Sequence, residues 1–333
     1  MIKLQPSESA LSLKSPRRHA TSTSIGADHY LHQALHHPVQ KFLLAGGKRI
    51  RASVIEIGFQ LGQQQRISRC LPEGIIDFIE LLHAGSLIID DVQDQSTCRR
   101  NQKSMHEDHG IPIAINTGNW MYFAALEKLM AVGIDDSQRL SILSRALGVI
   151  KTCHEGQALD LFVGFHEATQ HQLSEIVEKI SDWKTGALTE LAAWLGAIAS
   201  GASPATSQTI GEFGKRLGVA LQMQNDLREL QQTAAGLTIS EDLSLRRATW
   251  CWAWLSISLP AHEYHRMVRM AVSESYSQQE IAKTMLEPIE ITAGNEINLK
   301  LQHAASEIEP LIRDENTRIE LNQLLSSLEC RYA

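Results

Sequence analysis

Proline interrupts this chain so rarely that long helices are the first expectation. Its nine prolines leave one gap from Pro112 to Pro204 and another from Pro204 to Pro260, both filled with Ala, Leu, Glu, Gln and Lys. Proline ends helices and those residues favour them. The alternation and paired turn signals of a sheet protein are missing. Residues 28–44 and 73–94 read as helices, and a further helix starts near Gly118. No repeat, low-complexity linker or composition break follows residue 28. The expectation is one all-α domain, a helical bundle over residues 28–333, behind a disordered tail at residues 1–27. That tail contains the basic, hydroxyl-rich KSPRRHATSTS, for which a transit sequence is the alternative reading.

Composition removes several function classes. Apolar residues make up 43% and charged ones 21% of the 333 residues, as in a soluble protein with a real core. A net charge of −7 points away from nucleic acid. No uncharged apolar run approaches the roughly 18 residues that a membrane span needs. Cys70, Cys98, Cys153, Cys251 and Cys330 are scattered without a CxxC pair. Such a set reads as reduced thiols of a cytoplasmic protein.

The chemistry gathers in ELLHAGSLIIDDVQDQSTCRR, Glu80 to Arg100. On a helix, residues i and i+4 share a face, so Asp90 and Asp94 point the same way with Asp91 beside them. Three carboxylates on one turn repel unless a cation sits among them. Mg²⁺, which also holds substrate phosphates, suits such oxygen ligands. The plain alternative is a solvated acidic helix end. Upstream, GGKRIR (Gly46–Arg51) opens a helix with Lys48 and Arg51 three apart, as a diphosphate site or a solvated basic turn. GQALD carries Gln157 and Asp160, KTGAL carries Lys184 and Thr185, and LQMQNDLRE carries Gln222, Asn225, Asp226 and Glu229. Alone, each is a hydrogen-bonded polar residue on a core-facing helix. Together they imply a polar cavity at the centre of the bundle. His29, His32, His36 and His37 lack an acid or thiol at ligand spacing and read as surface histidines. His106 and His109 are three apart, which is not the zinc-protease spacing. TWCWAWL (Thr249–Leu255) reads as core or interface.

With these motifs in this order, the chain resembles the trans-isoprenyl diphosphate synthases, the polyprenyl synthetase family, over residues 28–333. The resemblance implies an Mg²⁺-dependent prenyltransferase, a homodimer, that joins isopentenyl diphosphate to an allylic diphosphate around a large central cavity. Lys48 and Arg51 of GGKRIR, His83 and Arg100 would bind isopentenyl diphosphate. DDVQD matches the first aspartate-rich motif, so Asp90 and Asp94 would hold Mg²⁺ on the allylic diphosphate, with Asp91 supporting. Arg99, Lys184, Thr185 and Gln222 would contact that same diphosphate.

Three departures from the family pattern stand out. The second aspartate-rich motif appears as NDLRE, Asn225, Asp226 and Glu229. Asn in place of the leading Asp removes a charge and leaves one carbonyl oxygen. The resemblance then implies a third Mg²⁺ that Asn225, Asp226 and Glu229 would hold more weakly than the first motif holds its ions. In ISEDLSLRRAT, Asp242 and Thr249 keep register, but Arg247 replaces the second of the family's lysines, where the resemblance implies it would bind substrate phosphate, and the first has no equivalent. Asn119 stands where the family shows Asp. Small Gly85 and Ser86, just before the first motif, imply an open pocket and a product of geranylgeranyl length or somewhat longer. Leu81 and Leu82 with Trp120, Tyr122 or Phe123 would form its floor. Two alternatives follow from the weakened second motif. A class I terpene cyclase shares the fold, yet Glu229 and Thr233 occupy the Ser and Glu positions of its NDxxSxxxE. A low-activity regulatory subunit of a heteromeric synthase is the other.

Overall fold

The computed structural model describes residues 26–47, 49–63 and 70–328; the tail at 1–25 and Lys48 lie outside them. Helix α1 (Ala27–Leu31), a π-helical turn at His32–His36 and α2 (His37–Leu44) form one run, opening one residue before the expected boundary. α3 (Ile50–Gly62) and α4 (Ile75–Gln93) follow, then the antiparallel pair β1 (Cys98–Arg99) and β2 (Gln102–Lys103). Next come α5 (Met105–His109), α6 (Ile111–Met130), α7 (Asp136–Phe162) and α8 (Gln170–Ser181). A second π-helical turn, Asp182–Gly186, leads into α9 (Ala187–Ser200) and α10 (Pro204–Ala234). The chain continues through α11 (Glu241–Ser244), α12 (Trp250–Ser258), α13 (Ala261–Val272), α14 (Gln278–Leu286), α15 (Glu290–Ile308) and α16 (Glu315–Leu328). The fold is all-α.

The proline gaps hold α7, 27 residues long, and Pro204 opens the 31-residue α10. Pro204 sits in the first turn, where its missing N–H costs nothing, and the Ser203 hydroxyl accepts from the Thr206 N–H at 3.1 Å. Asp135 caps α7 in the same way, accepting from Gln138 N at 2.9 Å. The helix expected near Gly118 begins at Ile111, because Pro112 lies in its first turn and starts it instead of stopping it. α9 stops at Gly201, whose φ of +85° favours glycine.

The described chain divides into two compact units. One takes the residues up to Gly47 with Asp77–Lys128, and the other takes Lys48–Ile76 and everything from Leu129. In the second, α9 is buried nearly all round, because α3 and α10 approach it at backbone distance. A Cβ on Gly196 would lie 2.0 Å from the Ile55 carbonyl oxygen, and one on Gly214 2.6 Å from that of Thr189. Trp250–Leu255 is buried, with Trp252 stacked on Phe165 at 4.0 Å, so this run is core. In the first unit α4 crosses α6 at Gly85 and Gly118. A Cβ on Gly85 would meet the Gly118 carbonyl oxygen at 2.9 Å.

Candidate active site

α4 stays helical through its acidic end, with Asp94 N donating to Asp90 O at 2.8 Å, so Asp90 and Asp94 lie on one face, both half-buried. Asp91 departs from the expected trio. It is fully buried, and its Oδ1 accepts from Arg99 Nε at 2.7 Å and from Arg99 Nη2. Arg99, expected on the allylic diphosphate, therefore already braces Asp91. The hairpin makes this possible: Arg100 and Asn101 both have positive φ, 52° and 61°. Two such residues make the tight turn that matches strand twist, and Asn tolerates it better than most. The turn carries Arg100 over the Phe42 ring, 5.3 Å from its centroid, and onto Gly47. A Cβ on Gly47 would lie 2.9 Å from Arg100 Nη2. Gly47, the second glycine of GGKRIR, is thus the floor for an arginine. Burial foremost lowers the Arg100 pKa, with Arg99 adding to it, while Glu80 and Asp91 oppose both.

Other expected residues of this unit are placed less tightly. His83 is half-buried on α4, and Ser86 Oγ donates back to its carbonyl at 2.8 Å. Gly85 is not an opening: it is the point where α4 meets α6. Leu82 is buried, Tyr122 lies beside Gly85, and Phe123 is 72% exposed. Phe123 therefore points outward, because it follows Tyr122 by about 100° around α6.

In the second unit, Lys48 lies outside the described residues, and Arg51 is half-buried in the first turn of α3. The three polar insertions do meet. Consecutive Lys184 and Thr185 sit in the π-helical turn, a feature frequent at functional sites. Lys184 Nζ donates to Asp160 Oδ2 of α7 at 2.8 Å, and Thr185 Oγ1 to Gln222 Oε1 of α10 at 2.9 Å. Gln222 Nε2 passes on to Asp226 Oδ1 at 2.8 Å, and Trp250 N holds Asp226 Oδ2 at 2.9 Å. Glu229 Oε1 accepts from Ser240 Oγ at 2.6 Å. Asn225 is exposed one position round the helix, away from buried Asp226.

Asp160 and Asp242, to which the motifs assign no ligand role, complete this cluster around Asp226. Burial first, against the Trp250 and Gln222 hydrogen bonds and with the charges of Glu229 and Asp160, pushes the Asp226 carboxyl up to about 7. Asp242 is driven well above its ordinary value by burial, then by Glu229, Asp226 and Asp160. The register of Asp242 in ISEDLSLRRAT and the helical face of Asp160 in GQALD were the available signals. Arg247, expected on phosphate, is 8% exposed and donates from Nη1 to the Asp160 main-chain oxygen at 3.0 Å.

Among the described residues no three His, Cys, Asp or Glu side chains converge as a metal cage. The donor set of α4 still fits Mg²⁺, which keeps waters and takes one or two carboxylates plus substrate phosphates. Among the described residues no helix is long and apolar enough to cross a membrane.

Residues 32–287 match the family model for Polyprenyl synthetase. A short chain isoprenyl diphosphate synthase of Methanocaldococcus jannaschii is 28% identical over 269 residues, 79% of this chain and 77% of that protein. A geranylgeranyl diphosphate synthase of Methanosarcina mazei is 32% identical over 191 residues, 56% of each chain. The solved geranylgeranyl pyrophosphate synthetase of Pyrococcus horikoshii superposes with a TM-score of 0.75 at 21% identity, covering 90% of this chain and 91% of that one. With the family model spanning most of the chain, and the acidic turn and arginine hairpin both in place, this protein belongs to the polyprenyl synthetase family.

Proposed function

We propose that the chain is a chain-elongating prenyltransferase that condenses isopentenyl diphosphate with an allylic diphosphate, giving geranylgeranyl diphosphate or a somewhat longer product. The observation that carries this reading is the end of α4, where Asp90 and Asp94 share a face and the hairpin returns Arg99 and Arg100 to the same unit. Carboxylates that hold a divalent ion and guanidiniums that fit phosphate are what a diphosphate substrate requires. Asp90 and Asp94 would hold Mg²⁺, with Asp226 and Glu229 as the candidates for a further ion and Asn225 a weak one.

When bound, Mg²⁺ acts as a Lewis acid on the leaving diphosphate oxygens. The chain's own part is placement. Arg99, Lys184, Thr185 and Gln222 contact the allylic diphosphate, while Lys48, Arg51, His83 and Arg100 hold the isopentenyl one. Preorganised donors of this kind stabilise the charge that develops as the allylic carbon–oxygen bond breaks. The isopentenyl double bond then attacks that carbon, and the proton lost on forming the new double bond goes to the departed pyrophosphate. Asp91 keeps Arg99 aimed, a supporting role in line with its burial.

The protein works in the cytoplasm as a homodimer. Its described cysteines are free thiols, and Ile111, Ile115, Phe123 and Met130 leave α6 with exposed apolar side chains that a second copy would cover. The test combines purified protein and Mg²⁺ with farnesyl diphosphate, with and without labelled isopentenyl diphosphate, and extracts are analysed before and after phosphatase. Longer alcohols released only by phosphatase are the expected result. A hydrocarbon formed without isopentenyl diphosphate would instead mean cyclisation, and no product would mean a subunit that needs a partner.

A further inference from the structure

Arg247 stands where the family resemblance expects a phosphate-binding lysine, yet its surroundings suit a different task. Its side chain is buried, and Nη1 donates 3.0 Å to the main-chain oxygen of Asp160, two residues before α7 ends at Phe162. The last carbonyls of a helix lack intrahelical partners and carry partial negative charge, so a guanidinium there is doubly favoured. The backbone around it is fixed as well. Arg247 N donates to Asp242 O at 2.9 Å, Phe165 N donates to Arg246 O at 3.1 Å, and Gly164 pairs with Arg247 as an isolated bridge. Arg246 takes a φ of +58° to make this approach.

The residue whose backbone Arg247 holds is the one whose side chain holds Lys184. Asp160 Oδ2 receives Lys184 Nζ at 2.8 Å, with both side chains largely buried. One turn earlier on α7, Gly156 lets the π-helical turn come close. A Cβ there would lie 2.8 Å from Lys184 N. Arg247, Asp160 and Lys184 thus form one line of contacts within the second unit. A lysine at 247 would carry the same charge, but as a compact ammonium without the planar fork that reaches a helix-end carbonyl from a fixed backbone.

We infer that Arg247 is a positioning residue: it pins the end of α7 and, through Asp160, sets the Lys184 ammonium for a diphosphate, without itself binding phosphate. This rests on the reading above that Lys184 contacts a diphosphate.

The experiment measures inorganic pyrophosphate binding with Mg²⁺ by calorimetry on the full chain, for wild type, Arg247→Lys, Lys184→Met and the double variant. Arg247→Lys is expected to weaken binding about tenfold, and the double variant to bind like Lys184→Met, because the two changes remove one contact. The NMR signal of ¹³C-dimethylated Lys184 should shift in ligand-free Arg247→Lys, which general loss of stability in a folded sample would not produce. Should Arg247→Lys fail to fold, Asp160→Asn keeps the carbonyl that Arg247 takes and removes the carboxylate that Lys184 takes. It should weaken pyrophosphate by a similar factor and move the same signal. Binding within twofold of wild type, losses that multiply in the double variant, or an unmoved Lys184 signal would overturn the inference alone. A wild-type chain that neither binds pyrophosphate nor elongates a primer overturns the functional reading and this inference with it.

Discussion

Asp90, Asp91 and Asp94 share a sequence motif but hold different positions in the energetics of the fold. Asp91 is fully buried against Arg99, whose side chain is 33% exposed. Truncation to alanine leaves that guanidinium without its carboxylate, so Asp91→Ala should cost roughly 2 kcal/mol, below the 3–5 kcal/mol of a fully buried pair. Asp90 and Asp94 are half-buried neighbours of like charge on one face, and like charges at i and i+4 destabilise a helix slightly. Asp90→Ala or Asp94→Ala should cost clearly less stability than Asp91→Ala, while product formation falls by roughly two orders of magnitude, the scale of losing an electrostatic stabiliser. Denaturant curves and turnover measured on the same three variants check the contrast. A loss of stability in Asp90→Ala as large as in Asp91→Ala would contradict it. The i, i+4 pairing of Asp90 with Asp94 was legible from spacing alone. The diversion of Asp91 was not, since it depends on a hairpin eight residues on that only the turn conformation of Arg100 and Asn101 creates.

Helix α4 shows which part of an element a sequence specifies. Its apolar residues announce a buried helix, but they do not say which neighbour each flank meets. Gly85 therefore read as space left for a growing product, whereas the structure sets it against the α6 backbone. A Cβ there faces the Gly118 carbonyl oxygen at 2.9 Å and Met121 Cβ at 3.2 Å, and a backbone atom cannot swing aside. Overpacking of this kind costs about 1–3 kcal/mol. Gly85→Ala should lower the thermal midpoint by the corresponding amount, while the folded fraction makes products of unchanged length. Half-buried Ser86, off that crossing, is the better place to narrow the pocket. Ser86→Phe should shorten the main product with less loss of stability. Product chromatography beside melting curves separates the two effects. A shortened product from Gly85→Ala with normal stability would return Gly85 to the pocket wall. The same limit hid the arrival of Asp242 beside Asp226 and Asp160, for Asp242 lies on a separate short element and only packing joins it to the polar insertions.

Across the whole chain, long helices and an all-α fold followed from proline spacing, because breaking a helix is a local property. What α3, α9 and α10 do together rests instead on glycines whose value appears only when backbones touch. The C-terminal helix adds a second non-local term. In the second unit α16 packs on α3, with Gln60 Nε2 donating to Glu320 Oε2 at 2.7 Å. Glu56, one turn before Gln60, keeps an exposed side chain, yet partial loss of hydration first, and then Glu320, raise its pKa against a smaller opposing pull from Arg49. The folded chain therefore holds this proton more tightly than the unfolded one. Glu56 contributes stability that is complete below the unfolded glutamate pKa of about 4.3, declines as pH rises through the raised folded value, and is gone above it. Glu56→Gln cannot ionise and keeps the uncharged contact at every pH. Melting curves between pH 4 and 7.5 should show the variant more stable than wild type near neutrality, with the gap closing toward pH 4. Parallel curves would mean that solvent screens the Glu56–Glu320 repulsion, leaving the α3–α16 packing indifferent to this charge.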